Sequence, residues 1–140
     1  MEQYILKIAV KRKPTDRLCE LTVYDFSSFL GGERTTFDYN CFCKCKELSA
    51  DPVDLWQTVP AYFDGVDHLI MLVDEEGLLH EPQDPINPVA TISAHIGYPI
   101  CGDVFICKAR GEDMYFLSMS DLEAIFSNFE LPVYDPVIVQ

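Results

Sequence analysis

No apolar run in this chain is longer than five residues, and the longest is Leu69-Ile70-Met71-Leu72-Val73. Five residues suit a buried strand and fall far short of the roughly 20 that a membrane-spanning helix needs. Hydrophobic residues make up 49% of the chain, enough for a packed core, so high net charge does not imply disorder here. The length, 140 residues, predicts a single domain over 1–140, with a two-lobed split into 1–50 and 51–140 as the variant. The start, Met1-Glu2-Gln3-Tyr4, has no basic-then-apolar signal segment, and the expectation is a cytoplasmic protein with no membrane partner.

Period-two patterning fills the first third. Tyr4, Leu6, Ile8 and Val10 share one face of a strand over 4–10, and a second strand is predicted over 18–26. The charged, proline-bearing stretch Lys11-Arg12-Lys13-Pro14-Thr15-Asp16-Arg17 connects them, and Gly31-Gly32 marks another turn. Residues 35–46 alternate as well, with Phe37, Tyr39, Cys41, Cys43 and Cys45 on one face, which predicts the third strand of an antiparallel meander.

Beyond residue 50 the signals change. Asp51-Pro52 reads as a cap with proline in the first turn, predicting a short helix over 53–58. A strand over 68–73 is closed by the turn Asp74-Glu75-Glu76-Gly77. Asn87-Pro88 starts a helix over 88–96, with Gly97 as its terminator. Strands at 104–107 and 114–117 flank the hairpin turn Arg110-Gly111-Glu112-Asp113. Ser120 and Glu123 have capping-box spacing ahead of the stripe Leu122, Ile125, Phe126 and Phe129. The tail 131–140, interrupted by Pro132 and Pro136, is either an edge strand or mobile. The expected fold class is α+β: a mostly antiparallel sheet, built from the N-terminal meander and a C-terminal hairpin, with two or three short helices on one face.

Charge is unevenly spread. Residues 1–50 carry eight Lys/Arg against seven Asp/Glu, while residues 51–140 carry two against sixteen, a net of −14. Such a field repels nucleic acid and anionic membranes and attracts basic surfaces.

The landmarks Leu72-Val73-Asp74-Glu75-Glu76-Gly77, Asn87-Pro88-Val89-Ala90-Thr91, Gly102-Asp103-Val104-Phe105-Ile106-Cys107 and Phe116-Leu117-Ser118-Met119-Ser120-Asp121-Leu122 occur in this order. In order and spacing, residues 56–126 resemble the domain of unknown function 3846, found in phages, plasmids and gut-bacterial mobile elements. The resemblance implies a mobile-element context and an α+β fold. It implies no activity, and no catalytic residue transfers from it.

Cys41, Cys43 and Cys45, with Cys19 as a fourth thiol, have soft ligands for a metal, but a strand sets such residues in a row rather than around a point. Core packing is the favoured role, with redox chemistry a minor alternative. The acidic turn Asp74-Glu75-Glu76, with Asp103, Glu112 and Asp113, has oxygen ligands for Mg²⁺ or Ca²⁺, but a calcium-loop pattern is absent and a solvated turn is favoured. His68, His80 and His95 show no paired ligand spacing and read as structural or exposed. A Cys101–His95 nucleophile pair lacks any sign of an oxyanion hole. Gly31-Gly32 lacks the lysine of a phosphate loop, and the basic run at 11–13 with Arg17 reads as a solvated loop. No catalytic residue, metal ligand or cofactor is therefore assigned.

The expected function is non-enzymatic: an acidic protein that binds a basic, nucleic-acid-binding surface of another protein, with inhibition of a host defence complex as one form of it. The expected contacts are Asp64, Asp67, Asp74, Glu75, Glu76, Glu112 and Asp113. The first alternative is an interaction or regulatory module using an apolar patch of Trp56, Tyr62, Phe63 and the tail, or forming a homodimer. A metal-dependent enzyme working through the acidic turns is the third reading.

Overall fold

The structure, a computed structural model, describes residues 2–10, 19–29, 36–77, 79–80 and 82–140. Among them are seven strands: β1 (Tyr4–Val10), β2 (Cys19–Asp25), β3 (Trp56–Pro60), β4 (Leu69–Asp74), β5 (Val104–Arg110), β6 (Asp113–Tyr115) and β7 (Val137–Ile138). Three helices accompany them: α1 (Tyr39–Leu48), α2 (Pro88–Ala94) and α3 (Met119–Ser127). The class is α+β, as the sequence predicts. All pairs are antiparallel except β2 with β7. The strand order is β3-β4-β5-β1-β2-β7, and β6 pairs β5 as the return arm of the expected hairpin. Because β1 pairs β5, in the register Leu6↔Ile106, one sheet runs through both halves of the chain. No helix among the described residues is long and apolar enough to cross a membrane.

Alternation along the strands builds two cores. Leu6, Ile8, Val23, Met71, Val73, Val104 and Ile106 face one side, against Ala90 and Ala94 of α2 and Leu122, Ile125 and Phe126 of α3. Ile5, Tyr24, Leu72, Phe105 and Cys107 face the other, against Cys41 and Cys45 of α1 and the aromatic group Phe26, Phe29 and Phe37. Two short helices thus share one face, and α1 covers the other. This sandwiching explains the five-residue apolar run: β4 contributes Met71 to one core and Leu72 to the other, and both side chains are fully buried. Each such burial contributes roughly 1.5–3 kcal/mol.

Two predicted elements are corrected. The expected strand at 35–46 is helix α1. Asp38 caps it, its carboxylate accepting from the Cys41 backbone N at 3.2 Å. The period-two row of cysteines conceals a period-four stripe: Phe37, Cys41 and Cys45 are all buried in one core. A helix needs that spacing, and the strand reading used only the other. The N-terminal portion is therefore one antiparallel strand pair followed by a helix, not a three-strand meander.

The expected helix at 53–58 is the edge strand β3, in the register Trp56↔Asp74 to Pro60↔Ile70. A helix of six residues would close few of its own hydrogen bonds, whereas β4 offers a full edge of partners. Pro60, which has no N–H, is tolerated at the end of an edge strand.

Other boundaries shift slightly. Asn87 caps α2 with Pro88 behind it, as expected, but the helix stops at Ala94 because His95 itself turns left-handed (φ 56°), ahead of Gly97. The capping box of α3 is Ser118 with Asp121, two residues before the predicted pair. The tail supplies edge strand β7, pairing Val137 with Tyr24. The loop 11–17 and Gly31-Gly32 lie outside the described residues.

Candidate functional site

Several acids of the second half lie at the two ends of the sheet. At the end where β4 starts and β5 finishes, Asp64 and Asp67 lie in the β3–β4 turn, and Glu112 and Asp113 lie at the β5–β6 turn. All four are exposed. The register Leu69↔Lys108 and the bond from Ala109 N to the His68 carbonyl, 2.9 Å, bring these turns to the same end. The Asp64 turn is anchored to α3: Asn128 accepts from Asp64 N and donates to its carbonyl, both at 3.1 Å.

At the other end, β4 finishes in Asp74, and the chain folds back on itself. Asp74 Oδ1 accepts from Glu76 N at 2.9 Å, and Gly77 N reaches the Asp74 carbonyl at 3.3 Å. This turn leaves Glu75 and Glu76 exposed and Asp74 inward, with a side chain only 3% exposed. The expected contact surface is thus divided: Asp64, Asp67, Glu112 and Asp113 at one end, Glu75 and Glu76 at the other, with Asp74 withdrawn from the surface.

Asp74 instead meets His80 and Asp84. His80 Nε2 lies 3.4 Å from Asp74 Oδ2, and Nδ1 lies 3.0 Å from Asp84 Oδ2. Both are ion-pair contacts when His80 is protonated, and the Asp84 contact lies at hydrogen-bonding distance. One ligand atom from each of the three residues falls within 4.8 Å of the other two. Asp74 also lines a small cleft with Gln57, Tyr98 and Cys101.

The segment carrying Asp84 is held from below. Asn87, fully buried, donates to the carbonyls of Ile8 and Gly102, both at 3.0 Å, and accepts from Ala90 N at 3.1 Å. Gly102 N in turn donates to the Pro85 carbonyl at 2.8 Å. Gly102 is left-handed (φ 81°), and a Cβ there would stand 3.5 Å from Asp84 Oδ2 and 3.6 Å from Asp51 Oδ2. The left-handed φ is what favours glycine there, since those distances are ordinary van der Waals contact.

The electrostatics follow from the geometry. Burial pushes the Asp74 carboxyl above its ordinary pKa, helped by the charges of Asp84 and Asp54 and opposed by the Glu76 N–H and by His80. Contact with the Asp84 carboxylate, then the charges of Asp74 and Glu76, push His80 up, against partial desolvation. An imidazolium here is the positive charge between two carboxylates.

Asp103 has a different task. Its Oδ1 accepts from Val10 N at 3.1 Å and its Oδ2 from Ala50 N at 2.9 Å, with Lys7 Nζ at 3.6 Å. It joins the end of β1, the segment after α1 and the start of β5, so it is structural rather than a ligand for an ion.

The remaining candidates disperse. Cys41 and Cys45 pack in one core and Cys19 in the other, across the sheet, so they do not form a four-sulfur site. Burial drives the Cys45 and Cys107 thiols well up, which keeps them protonated and suits packing. Burial also raises Cys101, whose sulfur accepts from Gln83 Nε2 at 3.5 Å; no Cys101–His95 contact is present among the described residues. His68 and His95 are exposed. The apolar patch does not assemble either: Trp56 packs edge-on to Phe105 and donates to the Phe42 carbonyl, and Phe63 packs on Phe129. Tyr62 and Ile138, both exposed, lie toward opposite edges of the sheet.

The sequence reading missed Asp84 and the use of His80. The available signal was a histidine flanked by acids at 74 and 84, inside a loop whose closure only the β4 turn and the Asn87 anchor reveal. No family model, curated protein or solved structure matches the chain.

Proposed function

We propose that this chain is a non-enzymatic binding protein that presents carboxylates to a basic, nucleic-acid-binding surface of another protein. The observation that carries the reading is the state of Asp64, Asp67, Glu112 and Asp113: exposed, gathered at one end of the sheet, and without an ion pair among the described residues. Side chains already paired within the fold would have to break those pairs to reach a partner. These four do not. Nearby Lys108 is engaged with Asp121 at 3.1 Å, which leaves Arg110 as the local opposing charge. Carboxylates so placed stand where phosphates would in a cationic groove, speeding encounter and fixing orientation. In the mobile-element setting implied by the resemblance over 56–126, the proposed role is inhibition of a host defence complex.

The test is affinity capture from the natural host at low and high salt, using three forms of the chain. The unmodified chain and a Glu75→Lys/Glu76→Lys variant are expected to retain a basic partner at low salt and release it at high salt. An Asp64→Lys/Asp67→Lys/Glu112→Lys/Asp113→Lys variant is expected to lose it. Retention by the fourfold variant would overturn the proposal.

A further inference from the structure

We propose that Asp74, His80 and Asp84 form a site for one divalent first-row transition-metal ion. The site lies at the opposite end of the sheet from the four-acid surface and does not depend on it.

Two observations point to a ligand there. The first is the convergence of three donors within 4.8 Å. The second is that the Oδ2 atoms of Asp74 and Asp84, on side chains only 3% and 9% exposed, lack a well-aligned donor and share one imidazole as their charge partner. A buried acceptor left without a donor costs about 1–3 kcal/mol, and more when it is charged. Here two such oxygens face one imidazole. A single ion of charge +2 between them would satisfy both oxygens and remove their mutual repulsion.

The geometry suits a small ion. Bonds of about 2.1 Å in a tetrahedral arrangement set ligand atoms roughly 3.4 Å apart. The present nitrogen–oxygen separations are 3.0 and 3.4 Å. His80 is the adjustable member: its side chain is 23% exposed, so the ring can turn one nitrogen toward the ion without disturbing the core. The carboxylates are the fixed members. Asp74 is held by the Glu76 N–H, and Asp84 by the segment that Asn87 and Gly102 anchor.

Chemistry selects the ion. One imidazole with two carboxylates suits Zn²⁺, Co²⁺, Fe²⁺ or Mn²⁺, whereas Mg²⁺ and Ca²⁺ favour all-oxygen sets. Three protein ligands leave a coordination position for water or another small oxygen donor.

Cobalt(II) is the probe, because its spectrum separates this site from the six cysteines. We expect one Co²⁺ per chain, with visible d–d bands and no near-ultraviolet thiolate charge-transfer band. Asp74→Asn, Asp84→Asn and His80→Gln are each expected to weaken binding by at least about tenfold, since losing a direct ligand exceeds the loss of an outer-shell partner. An Asp64→Asn/Asp67→Asn variant is expected to bind as the unmodified chain does, which separates a site from diffuse attraction to acidic surface. Should either buried-carboxylate variant fail to fold, His80→Gln at the partly exposed position gives the reading. A thiolate band, equal binding by the unmodified chain and His80→Gln, or no Co²⁺ binding would overturn the proposal.

Discussion

The two ends of the sheet hold acids of the same kind in opposite conditions. At the start of β4, Asp64, Asp67, Glu112 and Asp113 stand in water. At its finish, Asp74, Asp84 and Asp103 are drawn inward, each facing a histidine, a lysine or a backbone N–H. Five residue steps of about 3.3 Å put roughly 17 Å between the ends, beyond the screening length of about 8 Å in physiological salt. The four exposed acids and the three inward ones therefore form two electrostatically separate groups within the charge of −14. One is available to a partner. The other is committed to the fold or to an ion.

The largest effect should come from the inward population. Asp103→Ala removes the acceptor of two backbone N–H groups and the partner of Lys7, and is expected to lower stability by about 3 kcal/mol in urea unfolding. If Asp103→Ala shifts the midpoint no more than an exposed acid does, the distinction between the ends fails.

A smaller effect is expected at Asp121, which Lys108 pairs near the exposed end. Burial alone would raise its carboxyl, but the Ser118 backbone N–H, Lys108 and the Ser118 hydroxyl hold it below its ordinary value of 3.8. With the folded pKa lowered, its stabilisation is present at neutral pH and lost as pH falls below 3.8 toward the folded value. Asp121→Asn should therefore destabilise the chain by about 1 kcal/mol at pH 7, with the gap from the unmodified chain closing in acid. A gap that stays constant down to low pH would mean that the carboxylate charge contributes nothing.

The smallest effect belongs to the exposed end. Replacing Asp64, Asp67, Glu112 and Asp113 by their amides should each move stability by no more than about 0.5 kcal/mol. A large loss from any of them would place that residue with the inward population and remove it from the docking surface.

How far the sequence could be read follows the same division. Strands β1, β2, β4 and β5 were legible because alternation or a short apolar run is a local signal. Helices α2 and α3 were legible from Asn87-Pro88 and from the stripe Leu122, Ile125 and Phe126. Helix α1 was not, because Cys41, Cys43 and Cys45 satisfy a period of two while Cys41 and Cys45 also satisfy a helical turn. Only the second core, where Phe37, Phe105 and Cys107 meet them, decides between the two periods. Strand β3 was hidden for a similar reason, since its partner edge on β4 is remote from the Asp51-Pro52 cap signal. Exposure of the acidic turns was legible, but the inward rotation of Asp74 was not. It depends on the Glu76 N–H and on a loop that returns His80 and Asp84 across the end of the sheet.

The most direct measurement is thermal unfolding with and without Co²⁺ for three chains: the unmodified protein, Asp74→Asn/Asp84→Asn, and the fourfold amide variant of Asp64, Asp67, Glu112 and Asp113. Saturation at a hundred times Kd stabilises a folded state by about 2.7 kcal/mol. The predicted result is a clear rise in Tm for the first and third chains and none for the second. A rise in the second chain equal to that of the unmodified protein, or no rise in any of them, would contradict the assignment of the inward carboxylates to an ion.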